Sequence, residues 1–123
     1  MTVRGIRGAT TVVEDNPEQI IFATQELLTA IMQANPGLVA EDVASALFTV
    51  TEDLTSVHPA QAARKMGWNH VPMMCAGEIP VPGSLPKCIR VLIHWNTGIE
   101  QKSIKHVYNH GAVILRPDLV KEL

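Results

Sequence analysis

The period of the apolar residues changes repeatedly along this chain, and each change marks an element. From Thr2 to Val13, β-branched residues and interspersed glycines predict a first strand, in which Gly5 and Gly8 mark a bend or a close backbone approach. A helix start follows. Asn16 is suited to cap, Pro17 to the first helical position, and Gln19 falls where a capping box wants it. Ile20, Ile21, Thr24, Leu27, Leu28, Ile31 and Ala34 then trace one face at helical spacing until Asn35-Pro36-Gly37 stops the element, a helix of about five turns.

The segment Asp42–Thr51 mixes helix-favouring Ala44, Ala46 and Leu47 with strand-favouring Phe48-Thr49-Val50-Thr51, and we expect a strand over 46–51. A polar loop over 52–56 leads to a short helix opened by Pro59 and running through Arg64 to about Met66. Val71 to Glu78 predicts a third strand, which Pro72 places at an edge or near its start, and Pro80 to Ser84 is turn-rich. The clearest strand is Lys87 to Asn96, whose period of two separates Ile89, Val91, Ile93 and Trp95 from Cys88, Arg90, Leu92 and His94. Gln101 to Asn109 reads as a short helix ended by Gly111, and Ala112 to Leu115 as a last strand. The order predicts an α+β or mixed α/β fold, a five-stranded mixed sheet with two to three helices, in one domain over residues 1–123.

Composition sharpens this in one respect. Charged residues are 18% of the chain, against a usual share of about 25%, while the apolar fraction of 46% is ordinary. So few charges would cover a monomer poorly, and we expect an oligomer that hides part of its surface. A net charge of -2 and the absence of any basic run longer than Arg64-Lys65 exclude an electrostatic nucleic-acid face. The chain opens directly into a strand pattern with no secretory signal, and no stretch reaches the length of a membrane span. A cytoplasmic protein with Cys75 and Cys88 as reduced thiols is expected.

The chemistry lies with the arginines. Arg7, Arg90 and Arg116 each interrupt an apolar, strand-like run. A guanidinium keeps its charge at any working pH and costs several kcal/mol, roughly, to desolvate unless an anionic, planar group meets its donors. Any one of them alone fits an edge-strand charge; three in one pattern suggest a receptor for carboxylates. Glu78 ends an apolar run, where a lone carboxylate is ordinarily solvated, and Tyr108 suits a core role as well as a catalytic one. His106 and His110 are spaced to share a helix face, but no third ligand accompanies them, so no metal is expected. The apolar neighbours of Cys75 argue against a nucleophile, and neither common nucleotide-binding glycine loop is present. What remains is a basic, cofactor-free pocket for a small anion.

Arg4-Gly5-Ile6-Arg7-Gly8-Ala9-Thr10-Thr11, Cys75 to Glu78, Lys87-Cys88-Ile89-Arg90-Val91, His106-Val107-Tyr108 and Leu115-Arg116-Pro117-Asp118-Leu119 together resemble the small Bacillus-type (AroH class) chorismate mutases over nearly the whole chain. The resemblance implies a homotrimeric pseudo-α/β-barrel with active sites between subunits, converting chorismate to prephenate by a cofactor-free Claisen rearrangement. It implies that Arg90 meets the ether oxygen and a carboxylate, Arg7 holds a carboxylate, Glu78 contacts the ring hydroxyl and Tyr108 reaches the pyruvyl side. Cys75 and Arg64 would line the cleft from the adjoining subunit, Met74 and His58 would also bind substrate, and Leu115 and Arg116 would close over the cleft. The chain departs from the family pattern where an aromatic residue followed by Pro-Ala-Lys is replaced by His58-Pro59-Ala60-Gln61, and Arg64 to Trp68 is one residue shorter.

Two further readings keep the trimer and change the chemistry. Enamine and imine deaminases of the RidA type share the architecture and also use an arginine for a carboxylate, but their C-terminal signature is missing here. A non-catalytic trimer would bind an aromatic-pathway metabolite without turnover. An assay for chorismate loss, ammonia release or binding alone separates the three.

Overall fold

The computed structural model of the chain describes residues 1–115. Five strands form one mixed sheet in the order β3-β2-β4-β1-β5. They are β1 (Thr2–Thr11), β2 (Val43–Val50), β3 (Met73–Gly77), β4 (Cys88–Thr97) and β5 (Val107–Tyr108). β4 pairs antiparallel with both β1 and β2, whereas β1–β5 and β2–β3 are parallel pairs. Helices α1 (Pro17–Ala34) and α2 (Ala60–Lys65) pack on one face of the sheet.

The period-two alternation of β4 decides which face is which. Ile89, Val91, Ile93 and Trp95 are buried, as are Ala46 and Phe48 of β2 and Ile6 of β1, and most of these meet Leu27, Leu28 and Ile31 of α1 in the main core. Gly8 is required here: a Cβ on it would sit 2.7 Å from Cδ1 of Ile31, so the glycine lets α1 approach the sheet. The alternate residues Arg7, Leu47, Thr49, Arg90 and Leu92 stand on the opposite face, which neither α1 nor α2 covers.

The helix start forms as its residues dictate, with one change. Asn16 Oδ1 accepts from the Gln19 N–H at 2.8 Å, but the Gln19 side chain reaches past the cap to accept from the Glu14 N–H at 2.9 Å. β2 begins at Val43, earlier than expected, because its pairing with β4 continues through Trp95 after an irregularity between Val43 and Ser45. β3 is shorter than expected, and Val71 and Pro72 precede it.

The C-terminal expectations need correction. Residues 101–109 are not a helix: a single 3-10 turn over Gln101–Ser103 leads to β5, and Tyr108 is therefore a strand residue paired with Ala9. Residues 112–115 are not a strand but part of a 3-10 segment over His110–Leu115. The apolar run 112–115 misleads because Ala112 alone is buried, on Ala9 and Cys88, while Val113 and Ile114 are exposed. His106 and His110 consequently share no helix face.

Candidate active site

The open face carries a cavity of about 220 Å3 lined by Arg7, Ala9, Leu47, Thr49, Arg90, Leu92, Tyr108 and Leu115, with backbone from Gly8 and Val91. Strand register builds it. Ala9 and Thr49 flank Arg90 on either side, and Arg7 and Leu47 flank Leu92, so the two arginines rise from neighbouring strands one step apart over an apolar floor. One wall is a small second cluster in which Ala9, Cys88 and Ala112 are buried with Leu85, Tyr108 and Leu115 against them. The 3-10 segment thus brings Leu115 to the cavity, and a two-residue strand brings Tyr108.

Glu78 follows β3 directly, and its N–H donates to the Val50 carbonyl, which turns the residue towards β4. Its Oε2 lies 3.3 Å from Nε of Arg90 and also accepts from the Thr49 hydroxyl. The ion pair engages Nε of Arg90, a residue that also lines the cavity. Glu78 is four-fifths buried at its side chain and Arg90 about half, so the pair is screened less than a surface ion pair. Beneath them Cys88 is fully buried, and that burial pushes its thiol above the ordinary range, with the charge of Arg90 acting partly against it. Full burial and a raised pKa suit Cys88 to packing and work against nucleophilic reactivity.

The structure does not bring every expected site residue together within one chain. His58 and Cys75 line a separate cavity of about 370 Å3 with Val50, Leu54, Val57 and Pro59. Arg64 is exposed on α2, and Met74 is 71% exposed on the edge strand. Arg116 lies outside the described residues. Ala9, Leu47, Thr49 and Leu92 are lining residues that sequence reasoning missed; alternation along β4 already put Leu92 beside Arg90, whereas Ala9, Leu47 and Thr49 required the register of β4 with β1 and β2. Among the described residues, no group of three His, Cys, Asp or Glu stands close enough to hold a metal ion, both cysteines are free, and no helix is long and apolar enough to cross a membrane.

The family model for chorismate mutase type I matches residues 3–119. The chain belongs to the type I chorismate mutases. It is 57% identical to chorismate mutase AroH of Thermus thermophilus over 95% of this chain and 96% of that protein. To chorismate mutase AroH of Bacillus subtilis it is 47% identical, over 97% of this chain and 94% of that protein. A solved chorismate mutase from Clostridium thermocellum superposes with a TM-score of 0.87 at 51% identity, covering 89% of this chain and 97% of the other. These relationships bear out the fold class and the mutase reading over the deaminase and the non-catalytic binder. As an isomerase of aromatic amino acid biosynthesis, this chorismate mutase needs a site that fixes a dianion.

Proposed function

We propose that chorismate binds on the open face of the sheet and that Arg7 and Arg90 are its principal anchors. The observation that carries this reading is the pair of arginines one strand step apart over Leu47 and Leu92, with Arg90 braced by Glu78. Chorismate carries two carboxylates that must be held in a folded conformer before its ends can join, and guanidinium forks meet carboxylates in fixed geometry. The rearrangement is pericyclic and transfers no proton. As the C–O bond breaks, negative charge grows on the ether oxygen, and a cation already aimed there stabilises the transition state more than the ground state. Arg90 supplies that cation, Arg7 holds a carboxylate, Glu78 orients the ring hydroxyl as well as Arg90, and Tyr108 reaches the pyruvyl side.

We further propose a homotrimer in which His58, Arg64, Met74 and Cys75 of a neighbouring subunit complete the cleft, with Leu115 and Arg116 closing it. A cavity of about 220 Å3 is smaller than the roughly 300–1,000 Å3 of a typical ligand pocket, as expected of one wall of a larger site. Exposed Met74, Ile79, Val81 and Ile114 and the low charge content give a neighbour apolar surface to cover. Loss of chorismate absorbance with formation of prephenate tests the activity. Sedimentation at micromolar concentration tests the assembly: a 13.4 kDa monomer with full turnover would overturn the shared cleft.

A further inference from the structure

On the outer edge of β1, backbone pairing with β5 covers only Gly8 and Ala9. Beyond that point side chains continue the ladder. The Gln101 amide accepts from the Gly5 N–H at 2.9 Å and donates to the Gly5 carbonyl at 2.7 Å. Between Gln101 and β5, Nδ1 of His106 accepts from the Arg7 N–H at 2.9 Å. A backbone N–H can only donate, so this nitrogen carries no proton and the ring is the neutral Nε2–H tautomer. Burial lowers the pKa of His106, which favours that neutral form at physiological pH.

We propose that His106 is a positioning residue for the mutase reaction, fixing the backbone of Arg7 through Nδ1 so that the Arg7 guanidinium stands ready over the cavity floor. This rests on the reading that Arg7 anchors a substrate carboxylate. β1 leaves Arg7 between a two-residue strand and a side-chain bridge, so without His106 its N–H has no partner in the ladder. Protonation has the same effect as removal, because an Nδ1–H would face the Arg7 N–H donor to donor. The titratable and charged groups on the described elements around β5 are Arg4 and Arg7 of β1, Glu18 and Glu26 of α1 and His110 of the last segment, with Lys105 adjacent in sequence. Glu26 is engaged by His110 Nε2 at 2.7 Å, and burial is the one cause of the His106 shift. Neither neighbour replaces the missing acceptor.

The test compares His106→Ala, His106→Asn and Arg7→Ala in the full-length protein, with kcat and KM for chorismate followed across the acid and neutral range. Removing one hydrogen bond of this kind is worth about a five- to tenfold change, expected as a rise in KM for His106→Ala with kcat altered less. His106→Asn restores an acceptor that does not titrate, so it should recover most of the wild-type KM and abolish the rise in KM expected of the wild type as pH falls below the ordinary histidine range. Long-range proton–nitrogen NMR on the wild type should report the Nε2–H tautomer. An Nδ1–H tautomer, or a His106→Asn variant that keeps the wild-type acid limb, overturns the proposal. If Arg7→Ala leaves KM unchanged, the anchoring role of Arg7 fails on its own, whatever the His106 variants do.

Discussion

The two faces of one sheet are built from the same strands and answer to different demands. Along β4 the odd residues Ile89, Val91, Ile93 and Trp95 disappear under α1 and α2, while Arg90, Leu92 and His94 between them stay at least partly accessible. The covered face obtains its stability from area and close packing, with the Gly8 contact showing how little space is left. The open face spends a guanidinium, a carboxylate and a hydroxyl where apolar residues would have packed. Stability and activity should therefore respond to different residues only one position apart.

The largest effect belongs to the covered face. Phe48 is fully buried in β2 opposite Val91, and truncating such a phenylalanine costs about 3–5 kcal/mol, a large part of the stability of a domain this size. Phe48→Ala should lower the unfolding free energy obtained from denaturant titration by that amount while the kcat of the folded fraction changes little. A matching collapse of kcat in protein verified as folded would mean that the faces are not separable.

The converse experiment is on Arg90. Citrulline keeps the shape and most donors of arginine without the charge, and losing one preorganised donor at a developing oxyanion lowers kcat by about 10²- to 10³-fold. Citrulline at position 90 should lose at least the smaller of these factors with an unchanged melting temperature. Arg90→Lys should also be poor, because a point charge on a shorter reach cannot serve carboxylate and ether oxygen together. A citrulline variant with near wild-type kcat would show that Arg90 positions substrate and does nothing to the transition state.

Glu78 sharpens the comparison, since it is held by the open face yet in the proposed mechanism transfers no proton. Charge-assisted hydrogen bonds are worth about 1.5–3 kcal/mol, so Glu78→Ala should lose roughly tenfold to a hundredfold in kcat/KM. Glu78→Gln still accepts from Thr49 and orients a hydroxyl, and should lose less. Equal defects in the two variants would mean that the negative charge, and not the bracing, is what Arg90 requires.

How far the sequence could be read follows the same division. Wherever a period ran for several residues, as in α1 and β4, the element and its buried face were legible, because burial acts on every turn or every second residue. The C-terminal third was not: Val107–Tyr108 is too short to show a period, and its strand character comes from pairing with Gly8 and Ala9, far away in sequence. Arg7, Arg90, Glu78 and Tyr108 were visible as residue types out of place or as a family resemblance. Their partners Thr49 and Leu47 became visible only through register, which single-chain periodicity does not encode. The separation of His58 and Cys75 from Arg90 within the chain has no signal in periodicity, and only the family resemblance, which assigned Cys75 to an adjoining subunit, anticipated part of it.

The smallest expected effect concerns the loop that leads to His58. Asp15 lies in the connection between β1 and α1, and its carboxylate accepts from the Thr55 N–H at 3.1 and 3.2 Å, the Thr55 hydroxyl at 3.0 Å and the Ser56 N–H at 3.1 Å. The Ser56 side chain is the largest cause of a lowered pKa, with the Thr55 and Ser56 backbone donors adding to it and desolvation opposing. Because the folded protein binds this proton less readily than the unfolded chain, the carboxylate contributes stability that is fully present above the ordinary aspartate range. That contribution is lost as pH falls through the ordinary value and on through the lowered one. The group is solvent-exposed, so the effect is small and screened by salt. Melting temperature measured against pH for wild type and Asp15→Asn should give curves that differ at neutral pH and converge in acid. A constant offset between them would assign the Asp15 contribution to hydrogen-bond geometry alone, independent of its charge.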